Sequence, residues 1–318
     1  MRAVITGTAG FIGSRLAAEA LRLGWPVAGI DCLRTYYDVG QKRANLAALE
    51  PVTGFEFTCA DLATADLVPL LEGADVIFHL AGQPGVRGSW NAGFNDYCID
   101  NVLATQRLLE AAVTAGVRRV VYSSSSSIYG DADSYPVTEL ALPRPISPYG
   151  VSKLAGEHLC LAYAATGQID AVALRYFTVY GPGQRPDMAM HRLIRAALTG
   201  APFELYGDGG QIRDFTYVSD VVAANVLAAA APLPAGSAVV NVAGGSQATL
   251  AEVIEIIEEA AGIGINLIAG GPQAGDVRRT GGDTAAAAGL LEWQPRIALE
   301  EGITRQLEWQ ATLNPVPA

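Results

Sequence analysis

Tyr149 and Lys153 stand four positions apart in the run Tyr-Gly-Val-Ser-Lys, and a short way upstream lies a run of serines, Ser123 to Ser127. If the 149–153 segment is helical, both side chains leave one face, one turn apart. A phenol with an ordinary pKa of about 10 is a poor base at neutral pH, and becomes a useful one when a neighbouring cation stabilises its anion. The ammonium of Lys153 is placed to do that. Alone, a tyrosine and lysine at this spacing more often make a solvated helix face, and a serine run more often makes a flexible polar loop. Two features change the balance. The serines directly follow an apolar strand, Val120 to Tyr122, and a glycine fingerprint, Thr-Gly-Thr-Ala-Gly-Phe-Ile-Gly with Gly7, Gly10 and Gly13, opens the chain.

That fingerprint follows a strand pattern and precedes a helix pattern, the place where glycines permit a tight turn and let a pyrophosphate rest on helix N-terminal amides. Asp31 closes the second strand, where a carboxylate accepts from adenosine ribose hydroxyls, repels a 2′-phosphate and so favours NAD over NADP. Arg34, in the next loop, counts the other way, because an arginine there could help hold a phosphate. Asp61, followed by Leu62 after the third strand, suits the adenine edge and equally the N-cap of the next helix. Ligands in such sheets bind at the carboxyl ends of strands, which is where the serines fall. Fingerprint, serines and the Tyr149–Lys153 pair together describe hydride transfer between a bound dinucleotide and a substrate carbon.

The elements that must position these residues alternate. Short β-branched runs at Ala3–Thr6, Val27–Asp31, Phe55–Cys59, Val76–Leu80, Arg119–Ser123 and Ala171–Phe177 are separated by helical apolar spacing such as Ile12–Leu23 and Asn101–Ala115. The expected fold is α/β, a Rossmann-type doubly wound parallel sheet with a smaller C-terminal α/β substrate-binding domain. The division falls into an NAD-binding domain over 1–177 and a mainly substrate-binding region over 178–318. A strand near 239–242 is a candidate to rejoin the first. Helices are expected near 188–199, 219–230, 249–261 and 299–312, joined by segments rich in proline and glycine.

With 318 residues, half of them apolar, the chain can bury a large core. Its formal charge of −11 argues against nucleic acid or an anionic membrane surface as a partner. Cys32, Cys59, Cys98 and Cys160 show no metal-ligand spacing and are read as reduced, mostly buried thiols. The absence of a basic-then-apolar leader gives the expectation of a cytoplasmic protein. The alanine-rich run Val221–Ala251 has the hydropathy of a membrane span, but prolines and glycines cut it, so it reads as a buried helix, a turn and a strand.

The glycine spacing, Tyr149-x-x-x-Lys153 and the serine run ending in Ile-Tyr-Gly at 130 make the chain resemble the extended short-chain dehydrogenase/reductase family, and within it the NAD-dependent sugar-nucleotide epimerases and dehydratases. The resemblance implies Tyr149 as catalytic base, Lys153 as the ligand of the nicotinamide ribose that lowers the phenol's pKa, and Ser125 as the hydrogen-bond partner of the reacting hydroxyl. It implies NAD held by Gly7, Gly10, Phe11, Ile12, Gly13, Asp31, Arg34, Asp61, Leu62, Leu80, Ala81, Gly82, Asn101, Tyr149, Lys153 and Tyr176. Relatives of this kind are commonly dimers through a helix pair of the dinucleotide domain, and a homodimer stays open here.

In the resembling 4,6-dehydratases the two positions after the catalytic hydroxyl are acidic, whereas here they are Ser126 and Ser127. Hydroxyls far from their pKa cannot act as the general acid and base that elimination of water needs, so dehydration is disfavoured. Epimerisation at C4 requires only hydride removal, rotation of the keto sugar and hydride return. Tyr36-Tyr37-Asp38 with Lys42-Arg43, and the segment from Arg175 to Ala189, look like the UDP-glucuronate 4-epimerases rather than the UDP-galactose 4-epimerases. By that similarity Thr178, Arg185 and Ser127 hold the sugar carboxylate, a task that suits arginine's fork. The alternative for Arg185 is a surface arginine facing solvent or an acidic neighbour. Arg87, in a Gly-Val-Arg run, is placed near the sugar or the diphosphate. Gln211, Arg213 and Arg278 are matched to segments that bind the nucleotide's phosphates and ribose, with structural ion pairs to Asp214 and Asp276 as the alternative. Ala189, Met190 and Arg192 are placed near the uracil. The competing readings are a UDP-glucose/UDP-galactose 4-epimerase, a UDP-glucuronate decarboxylase and, in a different class, an inactive NAD-sensing protein.

Overall fold

A computed structural model describes residues 1–233, 235–271 and 275–313. The first half follows the alternation closely. β1 (Ala3–Thr6), α1 (Phe11–Arg22), β2 (Val27–Asp31), α2 (Val39–Ala47), β3 (Phe55–Cys59), α3 (Val68–Leu71) and β4 (Val76–His79) lead into α4 (Phe94–Tyr97), α5 (Ala104–Thr114), β5 (Arg119–Ser125), α6 (Pro148–Ala164) and β6 (Asp170–Tyr176). The second half contains β7 (Thr178–Tyr180), α7 (Ala189–Thr199), β8 (Phe203–Tyr206), β9 (Ile212–Tyr217), α8 (Val218–Ala230), β10 (Ser237–Val242), β11 (Ser246–Thr249), α9 (Leu250–Ala261), β12 (Leu267–Gly270), α10 (Ala285–Leu291) and α11 (Leu299–Leu313).

Seven strands form one parallel sheet in the order β10-β6-β5-β4-β1-β2-β3. Its central strands β1 and β4 are buried along their whole length, as a sheet covered by helices on both faces demands. The candidate strand near 239–242 does rejoin this sheet: Val239 pairs with Ala173 and Val242 with Tyr176. The strand order reverses between β1 and β4, and a crevice opens there at the carboxyl ends. A smaller sheet, β11-β9-β7, and a β12-β8 pair carry the rest of the second half.

Apolar contact does not stop at residue 177. One buried cluster runs from Ala3, Leu16 and Phe78 through Leu193, Val221 and Val253 to Ile303, so strands of the main sheet and helices of the second half share a core. A second cluster, with Val4, Leu108, Leu109 and Val120, fills the opposite face. Each such aliphatic side chain, fully withdrawn from water, contributes about 1.5–3 kcal/mol. The run Val221–Ala251 divides into α8, β10 and β11, and among the described residues no helix is long and apolar enough to cross a membrane.

Two expectations are corrected. The periodicity predicts a helix from Asn101, but residues 98–103 form a wide π-type turn and α5 begins at Ala104. The cysteines are free, but only Cys160 is buried; Cys32 and Cys98 are half-buried and Cys59 is exposed. Cys59 ends β3, an edge strand of the sheet whose residues are only half-buried or exposed.

Candidate active site

The fingerprint folds into the turn between β1 and α1. Gly7 has φ +73°, and a Cβ there would sit 2.8 Å from the Ala81 nitrogen, so the turn packs directly on the chain leaving β4. A Cβ on Gly13 would lie 2.2 Å from the Gly7 carbonyl oxygen, so only glycine lets α1 start this close to the turn. The N-cap of α1, Gly10, has no side chain to cap the helix, and the first turn carries no acidic residue. The positive end of α1 is thus left for an anion, which matches a pyrophosphate. Asp31 ends β2 and accepts from the backbone N–H groups of Ala9 at 3.1 Å and Leu33 at 2.8 Å.

One cleft joins these groups to Tyr149 and Lys153. It is lined by Gly7, Gly10, Phe11, Ile12, Gly13, Asp31, Arg34, Asp61, Leu62, Leu80, Ala81, Gly82, Tyr149, Lys153 and Tyr176, all read from the sequence as cofactor contacts. Asn101 stands behind the lining: its side chain accepts from the Gln83 N–H at 2.6 Å and donates to the Gln83 carbonyl at 3.0 Å and the Ser152 hydroxyl at 2.9 Å. Asp61 fulfils part of each reading, since it lines the cleft while its Oδ1 accepts from the Ala63 N–H at 2.9 Å. It caps this turn and not a helix, because α3 starts at Val68. Tyr36, Tyr37 and Lys42, from the segment that resembles the UDP-glucuronate 4-epimerases, also line the cleft, as do Cys32 and Asp100, which the sequence does not point to. Lys42 is buried, its Nζ donating to the Arg34 carbonyl at 2.9 Å and lying 4.8 Å from the Tyr37 ring centroid.

Ser147 starts α6 by accepting from the Gly150 N–H at 3.1 Å, and Pro148 follows at a position where its missing N–H costs nothing. Tyr149 therefore projects from the first helical turn, edge-on to Tyr97 with ring centroids 6.1 Å apart. The Ser125 hydroxyl, which accepts from the Ser127 N–H at 3.1 Å, lies close enough to the phenol to act on it. Burial pushes the phenol above its ordinary pKa, and Ser125 and Arg185 pull it back. Lys153 Nζ lies 4.5 Å from the Tyr122 ring centroid, and burial lowers its pKa to about 8, opposed by Cys160 and Glu157.

Beneath the site a buried network fixes the serine strand to α6. The Ser124 hydroxyl donates to Glu157 Oε2 at 2.6 Å, Arg175 grips both Glu157 oxygens at 3.1 and 2.6 Å, and Arg175 Nη1 donates to the Tyr129 hydroxyl at 2.7 Å. Glu157 is one helical turn beyond Lys153, so the same helix that carries the base carries its anchor.

The candidate substrate residues divide. Ser126, Ser127, Thr178 and Arg213 line a second pocket with Val86, Ser147, Asp276 and Thr280. Arg185 instead lines the long cleft near Tyr149. Its Nε and Nη2 donate to Asp187 at 2.9 and 3.0 Å, so it has the acidic neighbour of the alternative reading while lining the same cleft as Tyr149. The structural pairs offered for Arg213 and Arg278 do not form. Asp214 accepts from the N–H groups of Gly244, Gly245 and Gly282 at 2.9, 3.1 and 3.2 Å, although burial pushes its carboxyl up to about 6. Asp276 pairs with Arg87 at 3.2 Å. Arg213 is half-buried, with a donor contact to the Ile212 carbonyl at 3.0 Å, and burial pulls its pKa down.

The Gln211 amide donates to the Tyr206 carbonyl at 2.8 Å, and its buried oxygen has no protein partner among the described residues. Arg278 is exposed, and its N–H donates to Asp131 Oδ1 at 3.0 Å. Ala189, Met190 and Arg192 line neither cavity: Ala189 is exposed at the start of α7, Met190 is turned into the core, and Arg192 lies 5.1 Å from the Phe203 ring centroid.

A parallel sheet of this order, a glycine turn beneath an uncapped helix, and a tyrosine and lysine lining one cleft beside Ser123 and Ser124 of the serine strand define a nicotinamide-dinucleotide enzyme of the dehydrogenase type. The chain belongs to the NAD dependent epimerase/dehydratase family, whose model matches residues 3–243. It is 42% identical over 314 residues, 98% of this chain and 99% of the relative, to a Bacillus subtilis (strain 168) protein named an uncharacterized UDP-glucose epimerase, YtcB. Among solved structures it resembles MoeE5 in complex with UDP-glucuronic acid and NAD, at 46% identity and TM-score 0.89 over 98% of this chain and 100% of that one. It also resembles the UDP-glucuronic acid 4-epimerase of Bacillus cereus with UDP-glucuronic acid and NAD, at 39% identity and TM-score 0.95 over 98% and 100% of the two chains. The chain is an NAD-dependent enzyme of this family.

Proposed function

We propose that the protein interconverts UDP-glucuronate and UDP-galacturonate by inverting C4. Bound NAD supplies the chemistry of taking up the C4 hydride and giving it back. Tyr149 takes the proton of the C4 hydroxyl as the hydride leaves, and returns a proton to the C4 oxygen when the hydride arrives on the other face. Ser125, close to that phenol, is suited to hold the oxygen in line. Ser126 and Ser127 carry no carboxylate, so nothing on that turn draws a proton from C5 or delivers one to a leaving hydroxyl.

The observation that carries the acid-sugar reading is the position of Arg185, a cation lining the catalytic cleft and acting on Tyr149. Oxidation of glucuronate at C4 creates a β-keto acid, which loses carbon dioxide when the carboxylate bond aligns with the carbonyl π system. A guanidinium near the reacting centre can hold the carboxylate out of that alignment, and Thr178 and Ser127 in the adjoining pocket are suited to share the load. Arg213 supplies the charge for the diphosphate.

The second reading is a UDP-glucose 4-epimerase, favoured by the name of the Bacillus subtilis relative and by a structure of MoeE5, 46% identical, in complex with UDP-glucose and NAD. Supplying each sugar nucleotide and following C4 stereochemistry by NMR separates the two. The acid sugar is expected to turn over faster, and Arg185→Ala to erode that preference by about tenfold and release carbon dioxide. Turnover of UDP-glucose alone, or an unchanged preference in Arg185→Ala, would refute this assignment.

A further inference from the structure

Arg34 lies in the loop after β2, lining the cleft beside Asp31. A free arginine at the ribose end of a dinucleotide site is suited to a phosphate. This one is already engaged: its Nη2 donates to Asp100 Oδ1 at 2.6 Å and to Asp61 Oδ2 at 3.2 Å. The two carboxylates reach it from different places. Asp61 follows β3 and is pinned by the Ala63 N–H on its other oxygen, while Asp100 is presented by the wide turn 98–103 before α5. The Asp100 side chain is only 11% exposed, so losing Arg34 would leave a carboxylate buried without a counter-charge. Around Arg34 the cleft holds three carboxylates, Asp31, Asp61 and Asp100, against Arg34 and Lys42, and Lys42 is turned to the Arg34 carbonyl.

We propose that Asp100, together with Asp61, holds Arg34 away from a ribose 2′-phosphate and thereby sets the preference for NAD over NADP jointly with Asp31. To receive the phosphate, Arg34 must leave a short charge-assisted hydrogen bond and expose two carboxylates to a group of about −1.5 to −2 charge. A ribose hydroxyl asks for no such exchange. Asp100 acts through Arg34, as a specificity residue that turns a phosphate-binding side chain into an internal ion pair.

The test measures dissociation constants for NAD and NADP by calorimetry on protein freed of dinucleotide, for the wild type, Asp100→Ala and Asp100→Ala/Arg34→Ala. Asp100→Ala is expected to tighten NADP relative to NAD by about tenfold, and the double variant to lose that gain. A ratio unmoved by Asp100→Ala overturns the proposal. A gain that survives in the double variant overturns it too, because the effect is then loss of repulsion without recruitment of Arg34. Should the alanine variant not fold, Asp100→Asn keeps the shape and removes the charge; it is expected to move the ratio the same way by a smaller factor, and an unchanged ratio there counts equally against the proposal.

Discussion

In the long cleft the arginines are matched within the chain, Arg34 to Asp61 and Asp100 and Arg185 to Asp187, whereas in the adjoining pocket Arg213 has no carboxylate within ion-pair distance among the described residues. The neighbouring acids are otherwise occupied, Asp214 by three backbone N–H groups and Asp276 by Arg87. A guanidinium withdrawn from water without a partner costs stability, so a fold keeps one where a ligand supplies the anion. At the dinucleotide end of the cleft the open end of α1 offers backbone amides suited to a pyrophosphate. One region therefore leaves a helix end open and pairs its arginines with acids of its own; the other holds an arginine that no carboxylate of the described residues pairs with.

Tyr149→Phe separates the regions most sharply. Removing the phenolic oxygen should lower turnover by about 10²–10⁴-fold or abolish it, while NAD affinity stays near that of the wild type. Measured turnover within a few-fold of wild type would remove the proposed base. Arg213→Gln should act on the other region alone: UDP-sugar affinity falls about 10–100-fold by calorimetry, with NAD affinity unmoved. If the variant loses stability and keeps its UDP-sugar affinity, Arg213 is a structural residue and the contrast between the regions dissolves.

The same contrast explains what the sequence disclosed. Strands β1, β2 and β3 lie where β-branched runs predict them, and the glycines, Asp31 and Tyr149 fall on one cleft because a parallel sheet collects the carboxyl ends of its strands at one edge. Asp100 was not legible as a cleft residue, because it is brought in by a π-type turn that breaks the helical period; Lys42, singled out only within a resembling segment, reaches the cleft from α2. The Arg87–Asp276 pair, between residues far apart in the chain, leaves no local trace at all. Met190 shows the converse error, since a residue in a segment resembling a nucleotide-binding one is claimed by the apolar face of α7.

Lys153 offers the finest test, because its role in the cleft is set against the stability of the fold. Burial lowers its pKa from 10.5 to about 8. Below pH 8 both folded and unfolded chains hold the proton, and the buried ammonium costs about 3 kcal/mol, the difference in pKa expressed as free energy. Between pH 8 and 10.5 the unfolded chain binds the proton and the folded one does not, so this group makes stability rise with pH across that window. Lys153→Met keeps the stem and removes the charge. Urea unfolding of the dinucleotide-free chains should then show the variant more stable at pH 7, by up to about 3 kcal/mol, and the advantage shrinking as pH climbs toward 10. Taking the difference between the two proteins cancels the tyrosines that titrate in the same range. An advantage that does not change with pH would mean that Lys153 is solvated in the fold, and that the catalytic region stores no such electrostatic cost.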